Sequence, residues 1–93
     1  MTLSIGSTVV VAADQVSTGI NDETVVLGLQ RGIYYGVDGI GQRIWQLLQA
    51  PIPVATIRDT LLEEYDVDAA TCEHDLLRFL AELEREGLLD VRG

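Results

Sequence analysis

The spacing of apolar residues changes once along the chain, near Asp38, and this change restricts the fold more than any other feature. Before it, β-branched and apolar residues come in short runs: Thr8-Val9-Val10-Val11-Ala12-Ala13, then Thr24-Val25-Val26-Leu27-Gly28-Leu29, then Ile33-Tyr34-Tyr35-Gly36-Val37. Runs of this length bounded by turn residues read as strands. Gly19-Ile20-Asn21-Asp22-Glu23 is turn-like and Gln30-Arg31-Gly32 is a tight connection, so the three runs predict an antiparallel meander.

After Asp38 the period becomes helical. Asp38 is a candidate N-cap, since its carboxylate can accept the free amide hydrogens of a first turn. Ile40, Ile44, Leu47 and Leu48 follow at helical spacing with Trp45 beside them. Pro51-Ile52-Pro53 stops that helix, because proline lacks the amide hydrogen and its ring clashes with the preceding turn. Val54, Ile57, Leu61 and Tyr65 predict a second helix. Asp66-Val67-Asp68 breaks it, and Asp68 caps a third helix over 69–86, with Cys72, Leu76, Phe79, Leu80 and Leu83 on one stripe. Gly87 suits the left-handed position that closes a helix, with Leu88 and Leu89 after it. The expectation is an α+β fold in one domain spanning residues 1–93: strands over about 8–37, a three-stranded antiparallel sheet, then helices over about 39–86 in a winged helix-turn-helix-like arrangement.

Charge and length narrow the function. At 93 residues the chain can build one core but hardly a deep substrate cavity. Fifteen acidic residues face six basic ones, all Arg, for a net charge of −9. Affinity for nucleic acid comes mainly from Lys and Arg on phosphates, so a nucleic-acid partner is not expected, nor an acidic membrane surface. No apolar run approaches the roughly 20 residues of a membrane span, and the start of the chain has no secretory pattern, so a cytoplasmic location is expected. With one Cys (Cys72) and one His (His74), no disulfide and no ordinary zinc site can be assembled. Cys72 and His74 are two apart, and on a helix such residues point in different directions, which argues against a nucleophile–base pair. No nucleophile elbow, zinc-protease motif or P-loop is present in the sequence, and no catalytic residue, metal or cofactor is expected.

One stretch is more specific. Gly32-Ile33-Tyr34-Tyr35-Gly36-Val37-Asp38-Gly39-Ile40-Gly41-Gln42-Arg43-Ile44-Trp45-Gln46-Leu47-Leu48 resembles the PqqD-like family, in which an aromatic third strand runs into G-x-x-I-W-x-L-L. Val54-Ala55-Thr56-Ile57, with Leu61-Leu62-Glu63-Glu64-Tyr65-Asp66-Val67, is similar to the family's second helix. Asp75-Leu76-Leu77-Arg78-Phe79-Leu80, through Leu83 and Gly87-Leu88-Leu89, is similar to its third. The resemblance covers roughly residues 8–91, and the aromatic strand is most similar to the small stand-alone proteins of lasso-peptide biosynthesis.

That resemblance implies a RiPP recognition element, a non-catalytic module that binds the leader segment of a ribosomally made precursor peptide. In lasso systems the leader is presented to a separate protease of the cysteine-protease type, and a cyclase follows. The implied mechanism is strand addition, in which an extended peptide pairs with the free edge of the third strand. The residues implied at the site are Ile33, Tyr34, Tyr35, Gly36 and Val37 on the strand, and Asp75, Leu76, Phe79 and Glu82 on the third helix. A leader like those of the family would dock a Tyr and a Pro spaced as Y-x-x-P.

The same residues have plainer readings. Side chains alternate along a strand, so only one of Tyr34 and Tyr35 can face a core. Leu76, Leu80 and Leu83 read as core, and Glu82, Glu84 and Glu86 as a solvated face. Two other functions stay open: a PqqD-type peptide chaperone for a radical-SAM enzyme in quinone-cofactor synthesis, and a winged-helix DNA-binding protein. The second fits poorly, because Arg78 and Arg85 share the third helix with Glu73, Asp75, Glu82, Glu84 and Glu86.

Overall fold

The structure, a computed structural model, describes residues 3–13, 15–20, 23–28 and 33–92; within 15–38 the side chains described are those of Val25 and Val26, with Gly36. The order is β1 (Thr8–Val11), β2 (Gln15–Ile20), β3 (Glu23–Gly28), β4 (Ile33–Asp38), α1 (Gly39–Leu47), β5 (Ile52–Pro53), α2 (Val54–Glu64), α3 (Ala69–Arg85) and β6 (Leu89–Arg92). The fold is α+β, with a three-stranded antiparallel meander followed by three helices, as the sequence predicts.

The membership of the meander differs from expectation. The run at 8–13 does not join it. β2, β3 and β4 form the meander in the order β2-β3-β4, and its first strand includes Gly19 and Ile20, which read as turn in the sequence. Ser17, Thr18 and Gly19 give β2 little apolar signal, but all six of its residues pair with β3, so the ladder overrides local preference. β1 belongs to a second sheet, of order β5-β1-β6, in which Thr8 pairs with Pro53 and Val11 with Leu89. Pro53 therefore ends a strand as well as stopping a helix, and an edge strand tolerates a residue with no amide hydrogen. The expected turn at Asn21 and Asp22 and the connection Gln30-Arg31-Gly32 lie outside the described residues.

The helices follow their caps and stops. Asp38 closes β4 and stands immediately before α1; its side chain lies outside the described set. α2 starts at Val54 without a side-chain cap, and two of its free first-turn amides find backbone partners instead: Val54 N–H donates to Ser7 O at 2.9 Å and Ala55 N–H to Ile5 O at 3.2 Å. Asp68 caps α3, its carboxylate accepting from the Thr71 amide at 3.0 Å and the Thr71 hydroxyl at 3.2 Å. Gly87 takes φ 77°, and Leu88 N–H closes the helix end onto Leu83 O at 2.9 Å.

One core joins these parts. Leu48 of the turn after α1, Val54, Ile57 and Leu61 of α2, and Leu76, Leu80 and Leu83 of α3 are buried together with Val9, Val26, Leu88 and Leu89. The stripe on α3 holds as predicted, with Cys72 buried and Phe79 half-buried at its edge. Trp45 is buried in the same cluster, but its indole N–H has no hydrogen-bond partner among the described residues.

Candidate functional site

β4 is an edge strand. Its six residues pair with β3 on one side, from Ile33 opposite Gly28 to Asp38 opposite Glu23. On the other side no strand pairs with it among the described residues. Such an edge presents a row of unpaired amide hydrogens and carbonyls to any extended chain that comes alongside. The strand passes without a loop into α1. Asp38 ends β4, and Gly39 begins α1 with φ 55°, a left-handed conformation that favours glycine. The first turn of α1 is thus fixed at the end of the open edge.

Beside that turn lies an apolar cavity of about 260 Å³. Ile40, Gly41 and Ile44 line it from α1, and Leu61 and Tyr65 from the end of α2. Val67 contributes from the following turn, and Thr71, Cys72, Asp75, Leu76 and Phe79 from α3. Ile40 is 39% exposed and Val67 37%, the two large apolar side chains most open to solvent among the described residues, and both belong to this lining. Exposed apolar groups gathered on a concave surface favour a ligand that removes them from water.

Three of the four helical residues singled out in the sequence meet here: Asp75, Leu76 and Phe79. Leu76 is buried and forms part of the core beneath the cavity, Phe79 is half-buried, and Asp75 is exposed. Glu82 is half-buried and does not line the cavity. Gly36 is exposed and pairs with Val25, so it is on the strand as expected. Ile33, Tyr34, Tyr35 and Val37 are placed in β4 by their backbone register. Among the described residues the wall facing α3 comes from α1, the end of α2 and the α2–α3 turn; the side chains of Ile33, Tyr34, Tyr35 and Val37, to which the sequence points, lie outside the described set. Ile40 and Ile44 escape the sequence reading as lining residues because their spacing is equally that of an ordinary core stripe, and Tyr65 and Val67 because they stand at the break between two helices.

An ion pair next to the cavity lining joins α1 to the end of α2. The Arg43 guanidinium donates from Nε to Glu64 Oε1 at 2.8 Å and from Nη2 to Oε2 at 2.7 Å, a two-pronged contact between α1 and the last residue of α2. These hydrogen bonds hold Glu64 below the usual carboxylate range and Arg43 above its ordinary value. Cys72 also lines the cavity. Burial, and then the nearby charge of Asp75, push its thiol up, away from the thiolate that nucleophilic chemistry requires. Among the described residues no group of three His, Cys, Asp or Glu side chains could hold a metal ion, and no helix is long and apolar enough to cross a membrane.

Residues 23–89 match the family model described as coenzyme PQQ synthesis protein D (PqqD). The chain is also similar to a solved structure of TbiB1 in complex with the TbiA(beta) leader peptide: 42% sequence identity over 85% of this chain and 93% of that one, with a TM-score of 0.74. No curated protein sequence matches.

Proposed function

The chain belongs to the PqqD family, and from that premise we propose that it is a leader-binding module which pairs an extended precursor peptide with the open edge of β4. The observation that carries this reading is the open edge of β4 running without a loop into one wall of an apolar cavity. Main-chain bonds along residues 33–37 supply affinity with little sequence preference. Selectivity comes from apolar side chains of the peptide entering the cavity against Leu76 and Phe79, with Asp75 and Glu82 on the α3 side available to polar groups of the leader. The likeness to TbiB1, solved with a leader peptide bound, supports the same class of ligand here.

The binding unit is residues 1–93 acting as one domain, and it is not itself catalytic. It works in the cytoplasm, in a lasso-peptide type of pathway, presenting a leader that carries Y-x-x-P to a separate leader protease of the cysteine-protease type, with a cyclase after it. A PqqD-type partner of a radical-SAM enzyme would use the same edge. The 42% identity to a protein solved with a leader peptide favours the first reading. Titration with the TbiA(beta) leader and with a PQQ-precursor peptide separates them. The first reading expects the tighter binding to the leader, and a preference for the PQQ precursor would reverse it.

A further inference from the structure

The first turn of α1 is weakly held. Gly39 and Ile40 are exposed, Gly41 is only half-buried, and the buried anchors of this helix, Ile44 and Trp45, come later. Two glycines in three residues add backbone freedom. Yet this turn supplies Ile40 and Gly41 to the cavity and continues the strand that would take the peptide. The opposite wall is also a chain end. α2 stops at Glu64, and Tyr65 turns to an extended conformation at φ −128° and ψ 146°. Arg43 joins the two. It is one position from Ile44, Glu64 is one position from Tyr65, and both neighbours line the cavity. The fork geometry is directional, since two parallel N–H···O bonds fix the plane of the guanidinium as well as its distance. Gln46 accepts a third, longer bond from Arg43 Nη1 at 3.5 Å.

We propose that Arg43 and Glu64 are a positioning pair that holds the first turn of α1 and the end of α2 in register, so that the cavity is formed before a ligand arrives. The pair touches no ligand. It acts through Ile40, Ile44 and Tyr65, whose separation sets which apolar side chain fits. A preformed cavity spares the ligand the ordering of these walls, and that saving appears as affinity. The consequence for peptides rests on the leader-binding reading; the holding of the walls does not.

The test uses R43M, E64Q and the charge reversal R43E/E64R, each compared with the parent by amide hydrogen exchange without ligand and by titration with the TbiA(beta) leader peptide. In R43M and E64Q the amides of Ile44, Tyr65 and Val67 exchange roughly three- to five-fold faster, the scale of one well-formed exposed ion pair, while those of Leu80 and Leu83 in α3 are unchanged. A merely stabilising pair would change all of them together. Leader affinity falls by a similar factor, the loss disappears for a leader whose cavity-filling apolar residue is replaced by Ala, and R43E/E64R recovers most of both effects. Unchanged exchange at Ile44 and Tyr65, or a uniform change that includes Leu80 and Leu83, overturns the proposal. Local loosening in R43M and E64Q, together with a parent that fails to bind the leader, would leave the positioning role supported and count against the leader-binding reading alone.

Discussion

Ile40, in the first turn of α1, and Phe79, on α3, line the same apolar cavity, and the strand with the open edge ends two residues before Ile40. The unpaired backbone edge and the apolar cavity are therefore adjacent, and the proposed mode has a single extended peptide pair along β4 and turn an apolar residue toward α3.

If Phe79 is an anchor contact, Phe79→Ala should weaken leader binding by about 1–3 kcal/mol, the usual range for such a residue. Arg58 sits on α2 outside the cavity lining and pairs with Asp59 at 3.1 Å and Glu73 at 3.7 Å. Arg58→Ala should leave affinity unchanged. Calorimetric titration of the folded variants checks both, and thermal melts establish that Phe79→Ala has not lost the fold.

Asp68 ties stability to pH. The Thr71 amide, and after it the Thr71 hydroxyl, hold the Asp68 carboxyl below its ordinary range. The folded-state pKa is thus lower than the unfolded one. The capping contribution is fully present above the unfolded carboxylate pKa and is lost as pH falls through the folded value. Melting temperatures across the acid range should show a steeper decline for the parent than for Asp68→Asn, which keeps an accepting oxygen but does not titrate. Asp68→Ala should lower the melting temperature at neutral pH as well.

Trp45 carries a buried N–H with no partner among the described residues. Removing an orphaned donor recovers its desolvation cost, about 1–3 kcal/mol, and this offsets the packing lost when indole becomes phenyl. Denaturant unfolding should therefore place Trp45→Phe within about 1 kcal/mol of the parent, whereas Trp45→Ala should cost about 3–5 kcal/mol.

Gly39 has φ 55° and open space where a Cβ would stand. Gly39→Ala meets no clash, so its cost is that of the backbone alone, about 1–2 kcal/mol. Gly39→Asn should cost less. Unfolding curves that placed Gly39→Ala level with the parent would mean that the β4–α1 junction does not need a left-handed residue.

The helices were legible because their ends carry local chemistry: Asp68 accepts the Thr71 amide, the prolines flank Ile52, and Gly87 takes the left-handed conformation. The partners of β1 were not. Its ladder joins Thr8 to Pro53 and Arg92, residues far along the chain with no local signature of pairing. β2 was hidden for the opposite reason, since Ser17, Thr18 and Gly19 look like loop until β3 is beside them. At the site, Asp75, Leu76 and Phe79 could be read from the third helix. Tyr65 and Val67 could not, because a break between helices gives no sign of which way its side chains turn.

The most direct measurement of the central claim is an amide chemical-shift titration of the labelled protein with the TbiA(beta) leader peptide. The account predicts the largest shifts along residues 33–38 and at Ile40, Gly41, Asp75 and Phe79, with new protection from exchange on alternate amides of β4 and little change at Arg58 or along β6. Saturable binding whose shifts cluster on β2, on β6 or on the α2 surface around Arg58, with β4 unperturbed, would contradict it.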